Sequence, residues 1–351
     1  MMLRQALLLL SVLLFSIQVQ AYPGFRLMTL SDQKGEPLNV AVWYPTPAGE
    51  TMETVGENPA FIGVPVIRNA PPLSGEHPLL VISHGYNGSW RSLSWIAQAM
   101  AMQGYIVAAP DHPGTTIFNQ NPVEAKKLWK RPRDIARVID SVINTPELFG
   151  KTDNDRIAAL GHSLGGWAVM SLAGARFDPA RLLHDCQQYP QRGDCKLTEN
   201  LGINDASAQE KLSADYRDAR IRAVVSLDLG LAPGFTPHSL RDINIPVLIL
   251  AARNDRLGEL PFSQESGYIA AQMSPQWSHF DTIDGATHFS FMQLCKTGAE
   301  QLIDEDSPGN GIVCRDGNGA SRTDIHKELV REISSFLSLS LNYHVPAGEI
   351  K

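Results

Sequence analysis

The sequence has little of several things, and each shortage excludes something. Only four of its 351 residues are cysteine, and no two of them are spaced as CxxC. That spacing is the common mark of a zinc or cluster site, so no metal is expected. Basic residues are in deficit, with 30 Lys and Arg against 37 Asp and Glu, a formal charge of -7. A mildly acidic chain is a poor partner for nucleic acid, and none is expected. After the first 21 residues no run is long and apolar enough to cross a bilayer. There is no internal repeat and no long low-complexity linker, which sets aside solenoids and fibrous proteins. What is present, 43% hydrophobic residues over this length, is ample for a large core.

The first 21 residues stand apart. Arg4 supplies a short positive start, Ala6 to Ile17 is almost unbroken apolar sequence, and Val19-Gln20-Ala21 has small-x-small spacing. This reads as a secretory signal peptide rather than a spanning helix. The expectation is one exported domain over residues 22–351, periplasmic or secreted, with no stable membrane insertion. An oxidising compartment makes disulfides the natural state of the cysteines. Cys186 and Cys195 flank a turn around Tyr189-Pro190, and Cys295 and Cys314 flank a loop rich in Gly, Asp and Asn. The local pairing, 186 with 195 and 295 with 314, is therefore expected. Each pair sits in a polar insertion, at about 176–219 and 292–322. Acidic residues from Asp304 to Asp316 do not follow the regular calcium-loop spacing, so that stretch reads as solvated loop.

The rest alternates. Phe25 to Leu30 and Leu38 to Tyr44 read as an opening hairpin turned at Asp32-Gln33-Lys34-Gly35, and residues 45–78 as a long surface loop. Short apolar strands follow at Leu79 to Ser83, Tyr105 to Ala109, Arg156 to Leu160, Ile221 to Leu227, Pro246 to Ala251 and Trp277 to Ile283. Helical segments lie between them. The clearest starts near Pro132 and repeats Ile135, Val138, Ile139, Val142 and Ile143 on one face. A closing amphipathic helix carries Ile325, Leu329, Val330, Ile333 and Phe336. Alternating strands and helices predict an α/β fold, with a mostly parallel sheet covered on both faces and an antiparallel start. Chemistry on such sheets gathers at the carboxyl ends of the strands.

Five residues focus that chemistry: Gly161-His162-Ser163-Leu164-Gly165, between an apolar strand and a helical run. Strand, G-x-S-x-G, helix is the arrangement that holds a serine on a sharp, strained turn at the positive end of a helix. The backbone N–H of Leu164 then faces a developing oxyanion. A serine hydroxyl needs a base, and histidine suits because it titrates near neutrality. Of ten histidines, His288 is best placed, in the loop after the last strand. His162 adjoins Ser163 and should point elsewhere, His84 supports the loop at the next donor, and His112 is structural. The acid that orients the base is Asp255, just past one strand, or Asp228, at the end of the strand before it; Asp255 is preferred. The second oxyanion donor is the N–H of Tyr86, in the loop after the third strand. Trp90 and Trp167 are either cleft walls or core.

These residues resemble the α/β-hydrolase superfamily over nearly all of the mature chain. More narrowly, Ser83-His84-Gly85, Gly104 to Ala109 and Asp111-His112 look like platelet-activating-factor acetylhydrolases, chlorophyllases and bacterial proteins described as predicted dienelactone hydrolases. Gly85-Tyr86 and the Asn254-Asp255 loop are similar to cutinases and polyester hydrolases. The resemblance implies a serine hydrolase acting on small-molecule carboxylic esters without a cofactor. The acetylhydrolase pattern puts the acid at Asp228 and the cutinase pattern at Asp255. The rival readings are a peptidase or thioesterase with the same triad, and a silent hydrolase fold that only binds.

Overall fold

Residues 79–83 show how the chain builds its centre. Leu79 and Val81 point into one apolar cluster, and Leu80 and Ile82 into another, so a strand with no polar face is buried on both sides. The computed structural model describes residues 21–31, 37–47, 51–254, 261–317 and 319–342. Among these, ten strands form one sheet: β1 Tyr22–Leu30, β2 Leu38–Thr46, β3 Glu53–Val55, β4 Val64–Arg68, β5 Glu76–Ser83, β6 Ile106–Pro110, β7 Lys151–His162, β8 Ile221–Leu227, β9 Val247–Ala252 and β10 Ser278–Ile283. Their order is β10-β9-β8-β7-β5-β6-β2-β1-β4-β3. From β10 to β6 every pairing is parallel, while β2 is antiparallel to both β6 and β1. The expected opening pair is therefore present, with its turn at residues 32–36 outside the described residues.

Helices Lys130–Ile143 and Leu164–Ala173 cover one face, and Ser94–Met102 and Arg322–Asn342 the other. In the first of these, Ile135, Val138, Ile139 and Val142 are fully buried, while Pro132 sits in the first turn, where a missing N–H leaves no bond unmade. Among the described residues no helix is long and apolar enough to cross a membrane.

The stretch 45–78 departs from the surface loop expected of it. It holds β3, β4 and the start of β5, and Val66 and Ile67 are buried. Its prolines and glycines masked the strand pattern, and Pro65 is tolerated because β4 lies near the rim of the sheet. The first insertion is also more than a polar excursion. Asp178 caps helix Pro179–Gln188 by accepting the N–H groups of Ala180 and Arg181, and Leu182, Leu201, Ile203 and Leu212 join the core. Both disulfides are the local ones, Cys186–Cys195 and Cys295–Cys314. Residues 1–20, most of the expected signal peptide, lie outside the described residues.

Candidate active site

β7 stops at His162 and a helix starts at Leu164, so one residue makes the whole turn. That residue, Ser163, has φ 55 and ψ -120, a left-handed conformation that costs a non-glycine residue about 1–3 kcal/mol. The turn closes because its neighbours lack side chains. A Cβ on Gly161 would stand 2.1 Å from the Gly165 carbonyl oxygen, and one on Gly165 would stand 1.9 Å from the Ser83 carbonyl oxygen. Any larger residue at either place would push β7, its helix and β5 apart.

The loop after β10 brings the histidine. Thr287 and Ser290 cap each other across the short helical turn His288–Phe291, which fixes where the His288 ring leaves the backbone. His288 Nε2 lies 2.9 Å from Ser163 Oγ, and His288 Nδ1 lies 2.7 Å from Asp228 Oδ2. Asp228 follows β8 directly, with a φ of 44, and its other oxygen accepts the N–H of Ala252 at 2.9 Å. A carboxylate accepts, so Nδ1 carries the imidazole proton and Nε2 turns its lone pair to the serine. Of the two expected acids, Asp228 meets His288, and Asp255 lies outside the described residues.

His162 does turn away from the serine. Its Nε2–H donates to the His288 carbonyl at 2.9 Å, and its ring packs against His288 and Phe291. Burial, then the neighbouring His288, keeps its pKa well below the usual histidine value, so it acts as a neutral brace. The loop after β5 lies against Ser163, because a Cβ on Gly85 would stand 3.1 Å from Ser163 Cβ. The N–H groups of Leu164 and Tyr86 donate to no protein acceptor among the described residues. Trp90 and Trp167 belong to the core: Trp90 packs on Phe25 and Trp43, and Trp167 on Phe177 and Phe235. Both are closed in by aromatic neighbours rather than open to a cleft.

Two clusters beside the site carry no mark in the sequence. In one, buried Arg192 meets Asp194 at 2.7 Å and Glu265 at 3.1 Å. Those two acids accept the N–H groups of Leu231 and Ala232, just downstream of Asp228. In the other, Arg131 and Asp134 are buried at the start of a helix behind the β5 loop.

Residues 79–296 match the model of the alpha/beta hydrolase family, which is well over half of the chain. The chain belongs to the alpha/beta hydrolase family. Within that family it is similar to cutinase est2 of Thermobifida alba, at 22% identity over 253 residues, covering 70% of this chain and 66% of that protein. Cutinase est1 of the same organism matches equally, at 22% identity and 67% of its length. The chain thus spans about two thirds of the length of these two cutinases. Among solved structures, a ferulic acid esterase from Streptomyces cinnamoneus superposes with a TM-score of 0.61 and 17% identity, covering 95% of both chains. A puromycin-hydrolyzing peptidase of Mycobacterium tuberculosis does so at 0.52 and 13%, covering 93% of this alpha/beta hydrolase and 40% of the peptidase. At such identities the structural likeness speaks for the fold.

Proposed function

We propose that this protein is an exported serine hydrolase that cleaves carboxylic esters, with Ser163 as nucleophile, His288 as base and Asp228 as the acid. The observation that carries the reading is the pair of contacts at His288, 2.9 Å to Ser163 Oγ and 2.7 Å to Asp228 Oδ2. His288 Nε2 takes the serine proton as Oγ attacks the ester carbonyl. Asp228 stabilises the imidazolium that forms and holds its tautomer. The N–H groups of Leu164 and Tyr86 bind the tetrahedral oxyanion, where removing one such donor lowers the rate by about 100- to 1000-fold. His288 then protonates the departing alcohol, and water, activated by the same base, frees the acid from Ser163.

Esters are favoured over peptides because two relatives that match 70% of this chain are named cutinases, and a solved structure that covers 95% of it is a ferulic acid esterase. The narrower likeness to platelet-activating-factor acetylhydrolases rests on short motifs alone. Export is supported by residues 1–21 and by two disulfides, which persist in oxidising compartments. The test is a fluorophosphonate label mapped by peptide mass spectrometry, followed by matched ester, thioester and peptide substrates. An adduct on Ser163 that is lost in His288→Ala, with esters turned over fastest, supports the reading. A folded protein without adduct would leave a fold that only binds, and faster peptide cleavage would favour a peptidase.

A further inference from the structure

Behind the loop that carries Tyr86 lies a second serine–histidine–aspartate chain. Ser83 Oγ is 3.0 Å from His112 Nε2, and His112 Nδ1 is 3.1 Å from Asp134 Oδ2. The pattern copies that of Ser163, His288 and Asp228, yet Ser83 is no second nucleophile. It is completely buried, and its Oγ accepts from Arg131 Nη2 at 3.2 Å. A carboxylate accepts, so His112 Nδ1–H faces Asp134 and the bare Nε2 accepts a hydrogen bond from the Ser83 hydroxyl. Arg131 also donates to Thr115 Oγ1 at 2.8 Å and, through Nη2, to the carbonyl of His84. A buried guanidinium is costly to maintain, and here it ends on the backbone of the loop beside Ser163.

His84 connects this cluster to the site. Its Nε2 is 3.0 Å from the backbone nitrogen of His112. A backbone N–H only donates, so Nε2 is the bare nitrogen and Nδ1 carries the proton. Nδ1–H then donates to the Gly85 carbonyl at 2.7 Å. Burial, followed by the charge of Arg131, holds His84 well below the usual histidine value, so the ring stays neutral. Gly85 O also accepts the N–H of Gly88 at 3.1 Å. The peptide between Gly85 and Tyr86 is trans, and in a trans peptide the C=O and N–H point opposite ways. Whatever holds the Gly85 carbonyl therefore aims the Tyr86 N–H.

We infer that His84, in the tautomer set by the His112 N–H, is a positioning residue that points the Tyr86 N–H at the oxyanion. This rests on the reading of Tyr86 as an oxyanion donor given above. It goes beyond that reading by tying the donor's direction to one ring nitrogen.

The two nitrogens can be separated by two amides. His84→Asn keeps a donor near Nδ1 and loses the acceptor for His112. His84→Gln keeps an acceptor near Nε2 and loses the donor for Gly85. The measurement is kcat and KM on a p-nitrophenyl ester, per titrated active site, with Tm recorded for each variant. His84→Asn is expected to hold kcat within about fivefold, while His84→Gln loses about 100-fold in kcat at unchanged KM, the size of a lost oxyanion donor. Equal kcat in the two variants, or a loss confined to KM, overturns the inference. If His84→Gln does not fold, the wild-type ring is read directly by ¹⁵N NMR. An Nδ1-protonated ring, unchanged across about pH 5 to 8, supports the inference, and an Nε2-protonated one overturns it. A wild-type protein without Ser163 adduct or esterase activity would sink the proposed function and this inference with it. An active wild type with indifferent variants would sink this inference alone.

Discussion

His288 Nδ1 lies 2.7 Å from Asp228 Oδ2, and the other oxygen of that carboxylate is tied to the N–H of Ala252 at 2.9 Å. Asp228 is thus held at both ends, by the strand beside it and by the imidazole. In the proposed mechanism its loss strands His288 in the wrong tautomer. Asp228→Asn is expected to lower kcat by about 10⁴-fold, as in other triads, with the fold intact. Asp255→Asn should cost less than about tenfold, since His288 keeps its partner. A kcat series on one ester checks both variants, and the reverse ranking would move the acid to Asp255.

Ser163 holds a φ of 55 on the one-residue turn between β7 and its helix, a turn that Gly161 and Gly165 let close. Glycine visits that region freely, and alanine does not. Ser163→Ala and Ser163→Gly should both be inactive, but only the glycine variant relieves the strain. After allowing for the extra freedom of glycine in the unfolded chain, the expected gain is on the order of 1 kcal/mol over Ser163→Ala. Urea midpoints compare the two. A glycine variant no more stable than the alanine one would mean that the turn stores no strain.

Much of this site was legible in the chain, for physical reasons. The strands that carry it are buried on both faces, so they read as short apolar runs, and the chemistry falls where those runs end. Ser163 shows itself because a tight turn needs Gly161 and Gly165 around it. His288 shows itself by following the last strand. The acid was harder, because Asp228 and Asp255 both follow apolar strand runs in the sequence; Asp228 meets Ala252 and His288 in space, and Asp255 lies outside the described residues. The strands β3 and β4 were hidden by Pro and Gly. The burial of Arg131, Asp134 and Arg192 left no trace at all, because charged residues at a helix start or in a disulfide loop look alike whether solvated or enclosed.

Arg192 is the cation of a buried cluster that grips the chain just after Asp228. Its side chain meets Asp185 at 2.6 Å, Asp194 at 2.7 Å and Glu265 at 3.1 Å. Burial, then the nearby Asp194, pushes the Glu265 carboxyl well above its usual value, against the pull of Arg192 and the Ala232 N–H. Arg192→Met leaves the remaining charge enclosed without its counterion, at an expected cost of about 3–5 kcal/mol. Glu265→Gln keeps the shape and an acceptor for the Ala232 N–H while removing a carboxyl whose charge burial already disfavours, and should cost under about 1 kcal/mol. Chemical denaturation near neutral pH measures both. Equal losses in the two variants would mean that Glu265 is ionised in the fold.

His326 gives the stability of the fold an acid limit. Its ring stacks on Trp95 at 3.7 Å, and its Nε2–H donates to the carbonyl of Ser290, within the turn that carries His288. Burial lowers its pKa from 6.5 to about 4. Below about pH 6.5 the unfolded chain takes up a proton here that the folded chain refuses, so the unfolded state binds more protons and stability must rise with pH across this window. Run downward, the contribution is whole above about pH 6.5 and shrinks toward about pH 4, with a loss of about 2 kcal/mol between pH 7 and 4.5. His326→Gln keeps an amide donor for Ser290 but cannot titrate. Its stability at pH 7 should fall slightly, and its decline toward pH 4.5 should be shallower than that of the wild type by that same amount. Parallel declines in the two proteins, measured by urea denaturation at both pH values, would show that this histidine charges in the fold as readily as out of it.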